Sequence, residues 1–230
     1  MSIKKSTKPE EKNIVAVDEA LSRSEQFIER HQTKIIWAVG AIVLLVAGFI
    51  LITRFVMAPR EREAQAEMYM AELHFERDSL LLALEGDAEF PGFLDIISDF
   101  RFTNSANLAR YYAGIIYMRL GQFEEALEHL KRFRLRDQIV SAMALGAIGN
   151  AYIELGQMEK GLRYYRKAYS HKPNELTTPL FLFKAGLTKE VMGRPAEALK
   201  LYERIREEFP NSAEGRNIER YIGRVSVQLN

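Results

Sequence analysis

Cysteine is missing from all 230 residues. Disulfides, thiolate metal sites and a lipid-anchored N-terminal cysteine are thereby excluded, while the compartment stays open. A surplus of one charge is missing as well, since 32 Lys and Arg face 31 Asp and Glu. With no basic excess, no nucleic-acid partner is expected. Histidine is scarce, and His31, His74, His129 and His171 are scattered without ligand spacing, so neither metal nor cofactor is expected. No Ser-His-Asp set or zinc-hydrolase motif stands out. Gly146-x-x-Gly149 sits in a helical pattern without the strand a phosphate loop needs. The chain reads as a non-enzyme with no small-molecule substrate.

What is present is a repeat. Leu120-Gly121-Gln122-Phe123 returns as Leu155-Gly156-Gln157-Met158 and, altered, as Met192-Gly193-Arg194-Pro195. Gly114, Gly149 and Gly186 stand seven positions before these glycines; Ala126, Gly161 and Ala198 stand five after. Leu130, Tyr165 and Tyr202 follow, and Pro173 and Pro210 close the second and third copies. The spacing is close to a helix-turn-helix period of roughly 34 residues. The first glycine lets two helices cross closely, the second supplies the turn, and the small residue permits another close approach. The residues at 130, 165 and 202 are expected to fill the space between neighbouring hairpins, and proline to stop the second helix. One hairpin has no means of burying its own apolar face, so copies must stack.

Residues 1–34 form a polar segment with seven basic and six acidic side chains, its first dozen expected to be disordered. From Asp18 an amphipathic helix is expected, with Val17, Leu21, Phe27 and Ile28 on one face. It suits a membrane surface, a partner helix or a solvated lead-in. Ile35 to Thr53 then runs without a charge, and twelve of its nineteen residues are Leu, Ile, Val or Phe. At about 1.5 Å per residue it matches a bilayer core of roughly 30 Å. A single transmembrane helix over 35–56 is expected, with Trp37 near one interface. A cleaved signal peptide fits worse, because the polar leader is long and Pro59 follows the Val56-Met57-Ala58 site. The near flanks tie under the positive-inside count; Lys4, Lys5, Lys8 and Lys12 tip the N-terminus toward the cytoplasm.

Pro59 is expected to begin a helix reaching about Glu85, with Ala64, Met68, Ala71, Phe75 and Leu82 on one face. Phe93 to Phe102 would be its partner, making 59–106 a degenerate capping hairpin. Three repeats occupy 107–211. A last helix, Ala213 to Leu229 within 212–230, would cover the third repeat through Ile218, Tyr221, Ile222 and Val225. The fold class is therefore all-α: one membrane helix, then a solenoid of helical hairpins.

Asn107–Gln138, Ala142–Pro173 and Pro179–Pro210 resemble tetratricopeptide repeats, although Arg110, Leu145 and Leu182 stand where the first helix usually carries tryptophan. The layout of polar N-terminus, one span and repeats resembles the ancillary subunit of the bacterial SecYEG translocon. That resemblance implies a bacterial inner-membrane protein with periplasmic repeats that touches the translocon, periplasmic chaperones or exported clients.

In this repeat geometry the first helices line a concave groove. By register Leu108, Tyr111, Tyr112, Ile115 and Met118 face it in repeat one. Met143, Gly146, Ala147, Asn150 and Ile153 face it in repeat two, and Leu180, Phe183, Lys184 and Leu187 in repeat three. Repeats that clamp carboxylates use Lys, Asn and Arg at such positions, and here only Lys184 matches. The groove is thus expected to take an apolar protein segment, unless the array or the last helix covers it. Lys131, Arg132, Arg134 and Arg136, echoed by Arg163, Arg166 and Lys167, read as a solvated convex face near helix C-termini rather than a phosphate site. Asp87, Glu89, Asp95 and Asp99 read as surface acids around a loop. Two functions compete: an accessory binding protein at the translocon, or a structural scaffold subunit of an envelope complex for division, secretion or wall assembly.

Overall fold

The computed structural model describes the backbone of residues 9–134 and 136–229, and the side chains of residues 30–134 and 136–229. The chain divides into two units, one ending at Ala58 and one beginning at Pro59. Both are helical, and no strand occurs among the described residues.

In the first unit, α1 spans Pro9–Ile52 and a π turn spans Thr53–Met57. The helix begins nine residues before Asp18, the start expected from sequence, and takes in Pro9–Lys12, part of the stretch expected to be disordered. Proline's fixed φ suits a first helical position. Residues 1–8, and the side chains of Val17, Leu21, Phe27 and Ile28, lie outside the described residues. Around Ile35 the sequence is long and apolar enough to cross a membrane. Trp37, Leu44 and Phe49 are exposed there, a surface that water solvates poorly.

The second unit opens with α2 (Ala58–Glu76), in which Pro59 is the second residue. Ala64, Met68 and Ala71 are buried. The single helix expected as far as Glu85 is instead broken after Glu76. Asp78 turns the chain with φ of 63°, and a short α3 follows at Leu80–Glu85. The partner helix α4 is also shorter than expected, ending at Asp99 after starting at Phe93. Between them Asp87 accepts from the N–H groups of Glu89 and Phe90, both at 2.8 Å. Those two donors favour the charged form and lower the Asp87 pKa.

Three pairs follow: α5 (Asn104–Arg119) with α6 (Phe123–Arg132), α7 (Ile139–Glu154) with α8 (Met158–Ser170), and α9 (Thr177–Val191) with α10 (Pro195–Glu208). Each turn ends its first helix in the same way. Gly121, Gly156 and Gly193 have φ of 75°, 71° and 69°. The next residues, Gln122, Gln157 and Arg194, donate back to the carbonyls of Tyr117, Tyr152 and Lys189 at 2.8–2.9 Å. This satisfies carbonyls the helix end would leave open, and the left-handed φ selects glycine.

Within each pair the two helices meet at a missing side chain. A Cβ on Gly114 would lie 2.4 Å from Leu130, on Gly149 2.6 Å from Tyr165, and on Gly186 2.3 Å from Tyr202. A Cβ on Gly161 would reach Ile153 at 2.4 Å. Thus Leu130, Tyr165 and Tyr202 seat inside their own hairpins, a contact additional to the expected filling between neighbouring hairpins. They reach the neighbours too: Leu130 joins a cluster with Ala144 and Ile148, and the Tyr165 ring stacks on Phe181 at 6.2 Å.

The array closes with a single 3₁₀ turn at Gly215–Asn217 and α11 (Ile218–Val227), not one helix from Ala213. Ile218, Ile222 and Val225 pack with Leu182, Tyr202 and Ile205. Arg224 adds a forked bond to Glu190, at 2.8 and 3.0 Å, and the same carboxylate accepts from Tyr202 Oη.

Candidate protein-binding surface

First helices of successive pairs touch one another, α5 with α7 and α7 with α9. The stripe Leu108, Tyr111, Tyr112, Ile115, Met118, Met143, Asn150, Phe183, Lys184 and Leu187 is half-buried throughout. Gly146 and Ala147 are buried instead, and the Phe181 ring occupies the space a Cβ on Gly146 would need. Those two contribute backbone and packing to the stripe, not exposed surface.

The two ends of the stripe are engaged internally. Tyr112 stacks on Phe93 at 4.8 Å and meets Phe75 edge-on at 5.1 Å. Burial, reinforced by the Glu72 carboxylate, raises its pKa. Leu108 packs in the same capping cluster. At the far end Phe183 meets the Tyr221 ring of α11 edge-on at 4.7 Å. The aromatic residues nearest the caps therefore bind the caps to the repeats. Between them Tyr111, Ile115 and Met118 lie against the cluster of repeats one and two, and Met143 against that of repeats two and three.

One polar node crosses the middle. Asn150 Oδ1 accepts from Tyr165 Oη at 2.7 Å and from Lys184 Nζ at 3.2 Å. Burial pushes the Tyr165 phenol up to about 12, and the nearby Glu154 charge pushes the same way. Burial also lowers the Lys184 pKa, since a neutral amide compensates little of the ammonium's lost hydration. The residue resembling a carboxylate clamp is thus spent on tying α7 to α9. Sequence register places Asn150 and Lys184 on one face, but the phenol of Tyr165 comes from the second helix and carried no polar signal in its repeat position.

The other basic residues have varied environments. Lys131 lies 5.0 Å above the Tyr152 ring and Lys167 4.6 Å above Tyr164. Arg132 pairs with Glu128 at 3.2 Å. Among the described residues no group of three or more acids and histidines could hold a metal.

Solved structures share this architecture. The MamA protein superposes with a TM-score of 0.55 at 17% identity, over 71% of this chain and 81% of its own. A kinesin light chain of Podosopora anserina with nearly identical TPR-like repeats gives 0.56 at 15%, over 73% and 87%. At such identities the likeness concerns the fold alone, a TPR-like helical solenoid. No curated protein matches the chain. Residues 57–218 match the model of a secretion-related family. The chain belongs to that family, described as T7SS, ESX-1 secretion system protein EccA1, N-terminal domain.

Proposed function

We propose that this protein is a membrane-anchored adaptor in protein export, held by α1 and gripping protein segments with the inner face of α5, α7 and α9. The carrying observation is the central stripe, where Tyr111, Ile115, Met118 and Met143 are half-buried rather than enclosed. Apolar side chains with two flexible methionines suit varied apolar segments. In this reading the N-terminus lies in the cytoplasm, the side Lys4, Lys5, Lys8 and Lys12 favour, and the repeats lie in the periplasm of a bacterial inner membrane. There the protein serves as an accessory of the SecYEG translocon, passing exported chains to periplasmic chaperones. No catalysis is assigned to it.

The family's secretion-system name favours a second reading, a scaffold subunit that holds a larger envelope complex together. Photo-crosslinkers at Met118 and Met143, with captured proteins identified by mass spectrometry, separate the two. Transient capture of translocon subunits and unfolded clients is expected, and Ile115→Asp should abolish it. A stable stoichiometric partner elsewhere in the envelope would favour the scaffold. A periplasm-only reporter fused after Asn230 should be active; silence there overturns the periplasmic placement.

A further inference from the structure

A second cleft, of about 280 Å³, opens among α8, α9 and α10, with no groove residue in its lining. Leu162, Ala185 and Leu201 give it carbon surface beside the Lys189–Glu197 pair, and the exposed Arg163, Arg166 and Lys200 also line it. Every acid at the cleft is already paired: Glu197 with Lys189 at 2.6 Å, and Glu159 with Arg194 at 2.7 Å. Arg163, Arg166 and Lys200, by contrast, are exposed and make no ion pair or hydrogen bond among the described residues. Arg163 and Arg166 lack a carboxylate partner and Lys200 is only loosely offset by the nearby Glu197, so the rim stays positive beside carbon surface and attracts an anion that also brings apolar surface. The Glu197 carboxyl, held below its usual pKa chiefly by the hydrogen bond from Lys189, lies in the same positive surroundings.

We propose that this cleft binds an acidic–apolar segment of a partner protein, its carboxylates meeting Arg163, Arg166 and Lys200 and an aliphatic side chain resting on Leu162 and Leu201. A free phosphate fits less well, because phosphate cradles converge backbone N–H donors on one point, whereas here long side chains stand beside carbon surface. A bilayer fits less well too, since a flat headgroup plane would touch the cations and leave that carbon surface uncovered. The inference rests on reading the repeats as a protein-interaction module, but it concerns a different surface from the α5–α7–α9 stripe.

The test is fluorescence anisotropy on the full chain in neutral detergent, with a labelled short peptide alternating glutamate and leucine. Saturable binding is expected, weakening with salt. The triple variant Arg163→Glu, Arg166→Glu, Lys200→Glu should lose at least about tenfold in affinity. An equal change of charge at Lys131, Arg132 and Arg134 should leave affinity within about twofold. Arg166→Gln alone, checked by its thermal melt, guards against a folding defect and should still weaken binding. The proposal is overturned if the parent chain shows no saturable binding, if both triple variants lose equally, or if a glutamine-for-glutamate peptide binds as well. It is likewise overturned if inorganic phosphate or phosphatidylglycerol vesicles displace the peptide from the rim. Ile115→Asp should not change peptide affinity; a loss there would move the peptide to the stripe. Failure of the peptide with crosslinking at Met118 intact would sink the cleft and leave the adaptor reading standing.

Discussion

Gly186 lacks a side chain where Tyr202 needs the room: a Cβ there would sit 2.3 Å from the Tyr202 Cε1 atom. The ring has little freedom to move away. Tyr202 is fully buried, its hydroxyl donates to Glu190 at 2.5 Å, and Arg224 holds Glu190 from the other side. One backbone position thus supports the junction of α9, α10 and α11.

Gly186→Ala should therefore destabilise the chain despite alanine's better helix propensity. Overpacking a filled core costs about 1–3 kcal/mol, against a propensity gain of roughly 0.5–1 kcal/mol. Gly223→Ala is the control, because nothing lies within 4 Å of its would-be Cβ. Chemical denaturation should show the first variant less stable than the parent and the second slightly more so.

Gly156→Ala tests a different demand. Open space surrounds this glycine, so no clash arises, but its φ of 71° disfavours any Cβ. A loss of about 1–2 kcal/mol is expected, and Gly156→Asn should recover part of it. Equal stability of the alanine variant and the parent would mean the turn does not need its left-handed residue.

These positions explain what the sequence could reveal. A left-handed turn and a zero-clearance helix crossing each admit essentially one residue type, so three copies of Gly121 and Gly114 stand out against ordinary variation. The cap is different. The break at Asp78 uses a residue that is common elsewhere, and the sandwich of Tyr112 between Phe93 and Phe75 joins positions far apart in sequence. Aromatic residues at helical spacing look the same whether another ring covers them or water does. For the same reason register located the stripe but not which of its residues were already occupied, and it missed how Arg163, Arg166 and Lys200 come together from two helices.

Alkaline titration should expose the buried phenol at the centre. Tyr165 has a folded pKa of about 12 against an ordinary value of 10.0. Its contribution is fully present below pH 10.0 and is lost as pH rises through about 12, because the unfolded chain releases the proton first. Roughly 2–3 kcal/mol is at stake from this group. Tyr165→Phe should make the fall in melting temperature between these values shallower, even though it forfeits the bond to Asn150. An unchanged slope would mean that Tyr165 is not the group responsible.

Glu61 of α2 reaches the start of α5, where its carboxylate accepts from the N–H of Ser105 at 3.0 Å and from the Ser105 hydroxyl at 2.7 Å, and also takes the N–H of Asn104. The side chain of Thr103, the residue before the helix, satisfies the N–H of Ala106 but not those of Asn104 and Ser105. A side chain from the cap therefore completes the N-terminus of the first repeat, with its negative charge at the favourable end of the helix dipole. Glu61→Ala should cost about 0.5–2 kcal/mol and speed hydrogen exchange at the Asn104 and Ser105 amides. Glu61→Gln keeps one acceptor and should fall between. If exchange at those two amides stays as slow as in the parent, water replaces the carboxylate without loss and the cap does not organise the first repeat through this contact.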